Sequence, residues 1–203
     1  MVAVAAQMYR RGFITALSGN LSARLPDGNI LVTPAGPHKG FLSPEMLIEV
    51  SLERGVLSNL GGVQATSELP MHLEVYRKRP DVGAAIHAHP VACIALSLVG
   101  ITLEKPAIPE AVVLLGEVPT TTYATPSSDE NRLAISELIQ EHNAIILAHH
   151  GTLTVGRDLQ EAYYRLETLE HTAQILALAH QLGEPRQLSA EAIRKLTQDR
   201  APR

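Results

Sequence analysis

Residues 72–90, HLEVYRKRPDVGAAIHAHP, pass from a helical hydrophobic period to a continuous apolar run, and that passage decides the fold. Leu69, Leu73 and Tyr76 recur at helical spacing, so a helix is predicted over 67–78 with Ser67 as its N-cap. VGAAIHAH then runs into Pro90, the pattern of a buried strand feeding a helix with proline in its first turn. Val91, Ile94, Ala95 and Leu98 mark the face of that helix. A second apolar strand is predicted over 144–148 (AIILA), leading through His149-His150-Gly151 into the β-rich TLTV. The long helix after it, over 159–182, carries a stripe of Ala162, Leu166, Leu169, Ala173, Leu176 and Ala179 and is stopped by Gly183.

Outward from these two strands the signals are shorter. A helix is predicted over 1–11 and ended by Gly12, and LSGNLSAR is a turn followed by an extended segment. Residues 29–33 (NILVT) and 47–52 are strands, separated by the Gly/Pro loop TPAGPHKG, a candidate binding element. Glu53-Arg54-Gly55 makes a turn, and a loop with Gly61-Gly62 follows. Residues 111–115 and 120–124 are predicted extended, Ser128-Asp129-Glu130 opens a helix to about His142 with Asn143 as its stop, and a peripheral helix starts at Ser189. Strands and helices mix without a strict βαβ repeat, which points to a mixed or antiparallel sheet covered by helices rather than a Rossmann fold. No internal repeat or linker interrupts the chain, so one domain is expected over 1–203.

Composition narrows the function. Apolar residues are 45% and charged residues 19% of the 203, which excludes disorder as the main state. Seventeen basic against 21 acidic residues give a net charge of −4, so neither nucleic acid nor an anionic membrane has an electrostatic footprint to meet. Aromatics are 3% with no Trp, too few for a base-stacking platform. No apolar run approaches the ~18 residues of a membrane span, and the lone Cys93 fits a reducing cytoplasm, the expected location. One cysteine cannot build a thiolate cluster, so any metal must use carboxylates or some of the 9 histidines.

His87 and His89 lie two apart on a predicted strand, so both rings leave the same face with Cα atoms about 6.6 Å apart. In so apolar a setting an unpaired imidazole is costly, and a shared ion is one partner that removes the cost; separate hydrogen bonds are the other. A third donor waits at the end of AIILAHHG, where His149 and His150 point to opposite faces if extended, and the residues alone do not choose between them. Three imidazoles with one open position form a Lewis-acid site. Glu68, in the first turn of its helix, answers the helix dipole without further function, and Thr66, Ser67, Gly19, Asn20 and Gly36 serve equally as caps and turns. Clustered near an anion, they offer hydroxyls, amides and a helix N-terminus suited to phosphate. Lys39, Lys78, Lys105 and Lys195 sit in loop-like, polar or tail contexts, which argues against a lysine imine; Lys39 is assigned to solvated surface, with a phosphate contact as its alternative.

Taken together, SGNLSAR (18–24), TPAG (33–36), TSE (66–68), residues 72–90, HHG (149–151) and the long helix after GRDLQEA resemble the class II aldolase/adducin family from about Gly12 to Leu182. The resemblance implies a three-layer α/β/α sandwich around a largely antiparallel sheet, and a homotetramer with sites near subunit boundaries. Residue by residue, it implies that His87, His89 and His150 hold Zn²⁺, although another divalent transition metal also suits imidazole. His149 is left aside. Glu68 takes the acid/base position, and Asn20, Gly36, Thr66 and Ser67 take phosphate-contacting ones. Leu17 and Ala35 replace threonine hydroxyls of fuculose-phosphate-type members, and Glu110 aligns with a tyrosine used at the neighbouring subunit's site.

The implied activity is retro-aldol cleavage of a phosphorylated ketose to dihydroxyacetone phosphate and an aldehyde through a metal-stabilised enediolate. Its partner is a small phosphorylated sugar or hydroxy-carbonyl compound. Alternatives on the same site are sugar-phosphate 4-epimerisation, dehydration of a methylthioribulose phosphate and decarboxylation of a phosphotetronate. The adducin branch offers a further alternative, a non-catalytic assembly module.

Overall fold

The computed structural model describes residues 1–58, 62–104 and 107–198, so Gly61 of the expected Gly61-Gly62 loop and Lys105 lie outside the described residues. The elements are α1 (Val2–Arg10), β1 (Asn20–Arg24), β2 (Ile30–Val32), β3 (Ile48–Ser51), β4 (Gly55–Ser58), α2 (Leu69–Lys78), β5 (Ala84–Ala88), α3 (Val91–Leu98), α4 (Pro109–Leu114), α5 (Asp129–Ser136), β6 (Ala144–Leu147), β7 (Gly151–Gly156), α6 (Leu159–Leu182) and α7 (Ala190–Gln198). The strands form a sheet of order β4-β3-β2-β1-β5-β7-β6 in which every neighbouring pair is antiparallel.

Period-2 alternation sorts the two faces. On β5, Ala85 joins β2, β3 and the buried side of α2 and α5 through Val32, Val50, Met71, Val75, Ile135 and Ile139. Its neighbours Ala84, Ile86 and Ala88 turn the other way, onto Met8 of α1 and Ala162, Tyr163 and Leu166 of α6. Farther along α6, Leu169, Ala173 and Leu176 pack with Cys93 and Leu96 of α3 against Ile146 of β6. This is the expected α/β/α sandwich, and burying each Leu or Ile in it contributes roughly 1.5–3 kcal/mol. Because β5 is flanked by β1 and β7, its C-terminal end meets the first residues of both, with Asn20 opposite His87 and Thr152 opposite Ala88.

Four local expectations change. Residues 111–115 are not a strand: Pro109 and Glu110 start α4, and Ala111, Val112 and Leu115 bury its inner side, a short apolar run being ambiguous between the two periods. Only Thr120 of 120–124 pairs, as a parallel bridge to Ile146. The helix from Ser128 ends at Ser136 and gives way to a 3₁₀ turn at Leu138–Gln140. After the turn at Glu53-Arg54 the chain pairs back as the edge strand β4, which the sequence did not signal because Val56 and Leu57 stay exposed.

Gly83 precedes β5, where its N–H donates to Gly156 O and its carbonyl accepts from Arg24 N. A Cβ there would lie 2.0 Å from the backbone oxygen of Arg157. Gly83→Ala is expected to cost about 2–4 kcal/mol, read as a lower urea midpoint at unchanged slope.

Candidate active site

The alternation that turns Ala85 toward α2 turns His87 the same way, and His89, just past the strand, follows it. His87 is fully buried, and its Nδ1 donates to the carbonyl of Thr152 at 2.9 Å. That bond places a proton on Nδ1 and turns Nε2 inward, where it can offer a lone pair to a cation. Around this nitrogen stand His89 Nε2 at 2.8 Å and Glu68 Oε2 at 2.9 Å, while His150 Nε2 lies 3.6 Å from Glu68 Oε1. One proton can bridge only one of these contacts. A cation satisfies them together.

The choice between the adjacent histidines is made by the backbone. His149 has φ of 60°, a left-handed conformation that reverses the expected alternation and turns its ring outward, edge-on to Tyr123. His150 thereby enters the cluster, its ring centroid 4.7 Å from that of His87 and 5.0 Å from that of His89. Gly151 completes the cradle, because a Cβ there would meet Ala88 O at 2.3 Å and the His89 and His87 rings at 2.9 and 3.1 Å. The donor atoms of His87, His89 and His150 lie within 4.8 Å of one another, bracketing the about 3.4 Å spacing a tetrahedral ion imposes. His150 Nδ1 is buried with no hydrogen-bond partner among the described residues. The set fits a divalent metal.

Burial is the main cause that pushes His89 down to about 3 and His150 down to about 4. Both rings therefore keep their lone pairs for a metal at neutral pH. Burial alone would raise Glu68, but its contacts with His87, the amide of Asn20 and His150 overcome it and hold the carboxyl well below its usual range. Glu68 is thus ionised at neutral pH.

These groups open onto a cavity of about 300 Å³ walled by Leu17, Gly36, Lys39, Thr66, Ser67 and Ser127. The family model described as "Class II Aldolase and Adducin N-terminal domain" matches residues 1–177. The chain belongs to the class II aldolase/adducin family. It is 36% identical over 180 residues to the 3-oxo-tetronate 4-phosphate decarboxylase of Escherichia coli (strain K12), covering 87% of this chain and 84% of that protein. It is also 36% identical over 169 residues to an L-fuculose phosphate aldolase of Methanococcus maripaludis (strain C7), covering 83% and 89%. Among solved structures, YgbL from Escherichia coli superposes with a TM-score of 0.88 at 35% identity, covering 97% of this chain and 95% of that one.

In this class II aldolase/adducin chain the sequence-derived site residues do not all sit as expected. Glu68, Thr66, Ser67, Asn20 and Gly36 line the cavity together with His89 and His150. Ser67, however, does not cap α2. The helix begins at Leu69, Thr66 Oγ1 accepts from Glu68 N, and Ser67 Oγ accepts from Ser127 Oγ at 2.9 Å. Glu110 stands on the exposed first turn of α4 and is not among the cavity's lining residues. Lys39 is not solvated surface, because it is 2% exposed.

Two features were missed. Asn131 of α5 donates from Nδ2 to Glu68 Oε1 at 3.2 Å. Beneath Glu68 a buried chain of hydrogen bonds runs from β1 to α2. Tyr76 OH is 2.8 Å from Ser22 Oγ, Ser22 Oγ donates to His72 Nδ1 at 2.6 Å, His72 Nε2 donates to Asn20 Oδ1 at 2.5 Å, and Asn20 Nδ2 donates to Glu68 Oε2 at 3.1 Å. Each donor points toward the carboxylate, so the Asn20 amide is pinned with its NH₂ end on Glu68. His72 and Tyr76 at i and i+4 were legible as one helix face, but their polar partners were not.

Burial also holds His72 down to about 4. In the metal-free protein, His72, His89 and His150 stay neutral where the unfolded chain takes up protons near pH 6.5. Their contribution is complete above that pH and is lost as pH falls through about 4 to 3. With up to three more protons on the unfolded chain, stability is expected to fall near pH 5 by as much as about 4 kcal/mol per pH unit. Urea midpoints of chelated protein from pH 7.5 to about 4 check this; a flat profile would contradict it.

Proposed function

We propose that this chain is a divalent-metal-dependent carbon–carbon lyase that produces dihydroxyacetone phosphate from a small phosphorylated hydroxy-carbonyl compound, retro-aldol cleavage of a 1-phosphoketose being the principal reading. The observation that carries it is the convergence of three imidazoles on an ionised Glu68 inside one cavity. His87, His89 and His150 would hold the metal, Zn²⁺ in the principal reading. A cation bound there supplies Lewis-acid stabilisation of negative charge on substrate oxygens.

What Glu68 does then follows from its charge. In the retro-aldol direction it takes the proton from the hydroxyl on the carbon that becomes the aldehyde. The carbon–carbon bond breaks, its electron pair moves into the enediolate of dihydroxyacetone phosphate, and Glu68 gives the proton to the enediolate carbon from which the aldehyde has departed. The proton ledger closes on one residue that starts as a base, as its environment favours. Asn20 and Asn131, each donating to one Glu68 oxygen, orient it. Asn20, Gly36, Thr66 and Ser67 are read as the side that receives the phosphate.

A second reading has support in the 36% identity to a 3-oxo-tetronate 4-phosphate decarboxylase. Loss of CO₂ from a 3-oxo-4-phosphotetronate and loss of an aldehyde from a 1-phosphoketose leave the same three-carbon enediolate, so one site serves either bond cleavage. In the decarboxylation Glu68 must first acquire a proton from solvent. Epimerisation, dehydration and a purely structural role release no dihydroxyacetone phosphate, which separates them from both readings. The reading includes a cytoplasmic, single-domain enzyme assembled as a homotetramer, for which exposed Val91, Leu98 and Val99 at the two ends of α3 offer apolar contact.

Protein purified without chelator and supplied with a 1-phosphoketose panel or 3-oxo-4-phosphotetronate is expected to release dihydroxyacetone phosphate, with aldehyde or CO₂ as the distinguishing co-product. Glu68→Gln is expected to lower kcat by about 10²–10⁴. His150→Ala should lose bound metal while His149→Ala retains it, measured by elemental analysis. Turnover indifferent to chelation and to Glu68→Gln would sink the proposal.

A further inference from the structure

Among the described residues Lys39 is the only buried lysine or arginine, and nothing in its surroundings neutralises it. Its Nζ donates to Pro37 O at 2.8 Å and to Leu17 O at 3.4 Å, both uncharged carbonyls. No acidic side chain among the described residues forms an ion pair with it. Glu68, the one carboxylate lining the same cavity, directs its oxygens to His87, Asn20 and Asn131. Burial pulls the Lys39 pKa below the ordinary lysine value, and no neighbouring charge offsets it. A buried ammonium without a counter-ion is costly unless something else meets it.

The lysine is held there rather than trapped by chance. It opens a 3₁₀ turn, Lys39–Phe41, in which His38 Nδ1 accepts from Gly40 N. Gly40 lies against the ring of Tyr9 on α1, where an added Cβ would approach within 2.7 Å of that ring. The His38 ring is clamped between Tyr9 and Phe41, with centroids 4.5 and 4.7 Å away. α1 thus fixes the turn that aims Lys39 at the cavity. The same cavity is lined by Thr66, Ser67 and Ser127, and the ten-residue α2 begins at Leu69, two residues after Ser67. A group with three terminal oxygens and two charges uses such a cation and such a spread of donors; a single carboxylate would leave several of them unused.

We propose that Lys39 is a substrate-binding residue whose ammonium pairs with the phosphate monoester of the substrate in the part of the cavity walled by Leu17, Gly36, Thr66, Ser67 and Ser127. This rests on the preceding reading that the substrate is phosphorylated, and it adds the residue that supplies the charge. Leu17 and Ala35 contribute no side-chain hydroxyl on this wall, so the selectivity for a dianion over a neutral sugar falls to Lys39. The lysine acts as a counter-ion and not as a nucleophile.

Inorganic phosphate is the probe, titrated calorimetrically into the full chain loaded with metal. Lys39→Met, which keeps the length of the side chain and removes its charge, is expected to bind phosphate about ten- to a hundredfold more weakly. In phosphate-free buffer the same variant should unfold at an equal or higher temperature than the unmodified protein, since a buried charge has gone; a purely structural lysine would lower it. Affinity unchanged within twofold overturns the proposal, as does borohydride-trapped dihydroxyacetone phosphate on Lys39. Should Lys39→Met not fold, Lys39→Gln repeats the titration, and the unmodified protein must itself gain thermal stability with added phosphate; no gain also overturns it. Phosphate binding that depends on Lys39 without any turnover would leave this inference standing and defeat the lyase reading. Turnover with a KM indifferent to Lys39→Met would do the reverse.

Discussion

The 2.9 Å hydrogen bond from His87 Nδ1 to the carbonyl of Thr152 governs the chemistry of the whole pocket. It belongs to the β5–β7 boundary, so the sheet itself dictates which ring nitrogen keeps its lone pair. That lone pair confronts a carboxylate delivered by the start of α2, an arrangement of electron-rich atoms that calls for positive charge between them. Everything else in the pocket is built to hold this confrontation in place. Gly151 leaves room for the rings, His149 accepts an unfavourable backbone conformation so that His150 can turn inward, and two asparagines grip the oxygens of Glu68.

The antiparallel order of the sheet explains why the site lies where it does. β5 is central, and its end abuts β1 on one side and β7 on the other. Residues from distant parts of the chain, Asn20, His87 and His150, therefore meet across neighbouring strands without long side chains. The face that carries them is also the face α2 covers, which is why an apolar helix–sheet interface contains one continuous line of polar groups, Tyr76, Ser22, His72 and Asn20, ending at Glu68. The positive charge of the pocket comes from elsewhere, through the loop that α1 braces.

How far the sequence could be read depended on how local each cause was. Strand alternation alone placed His87 and His89 on one side, and the apolar runs of 84–88 and 144–147 located β5 and β6 correctly. The choice of His150 over His149 needed a backbone torsion at His149, which no residue type announces; the family resemblance made that choice where the residues could not. Lys39 was misread because a lysine in a Gly/Pro loop looks solvated, and its turn is braced by Tyr9 of α1, from outside its own segment. Asn131 acts from a helix whose sequence reads as an ordinary amphipathic surface element. The run 111–115 fell to the wrong class and 56–58 received none, because four or five residues carry too little periodicity to choose between helix, strand and turn.

The three imidazoles are drawn from two segments some sixty residues apart, and the carboxylate from a third. No fragment and no partly collapsed chain brings them together, so an ion of this kind has an all-or-nothing relationship with the native state. Its binding energy accrues wholly to the finished fold and deepens with the concentration of free ion. On the proposed metal reading, the supply of that ion would set how much of this polypeptide stays folded.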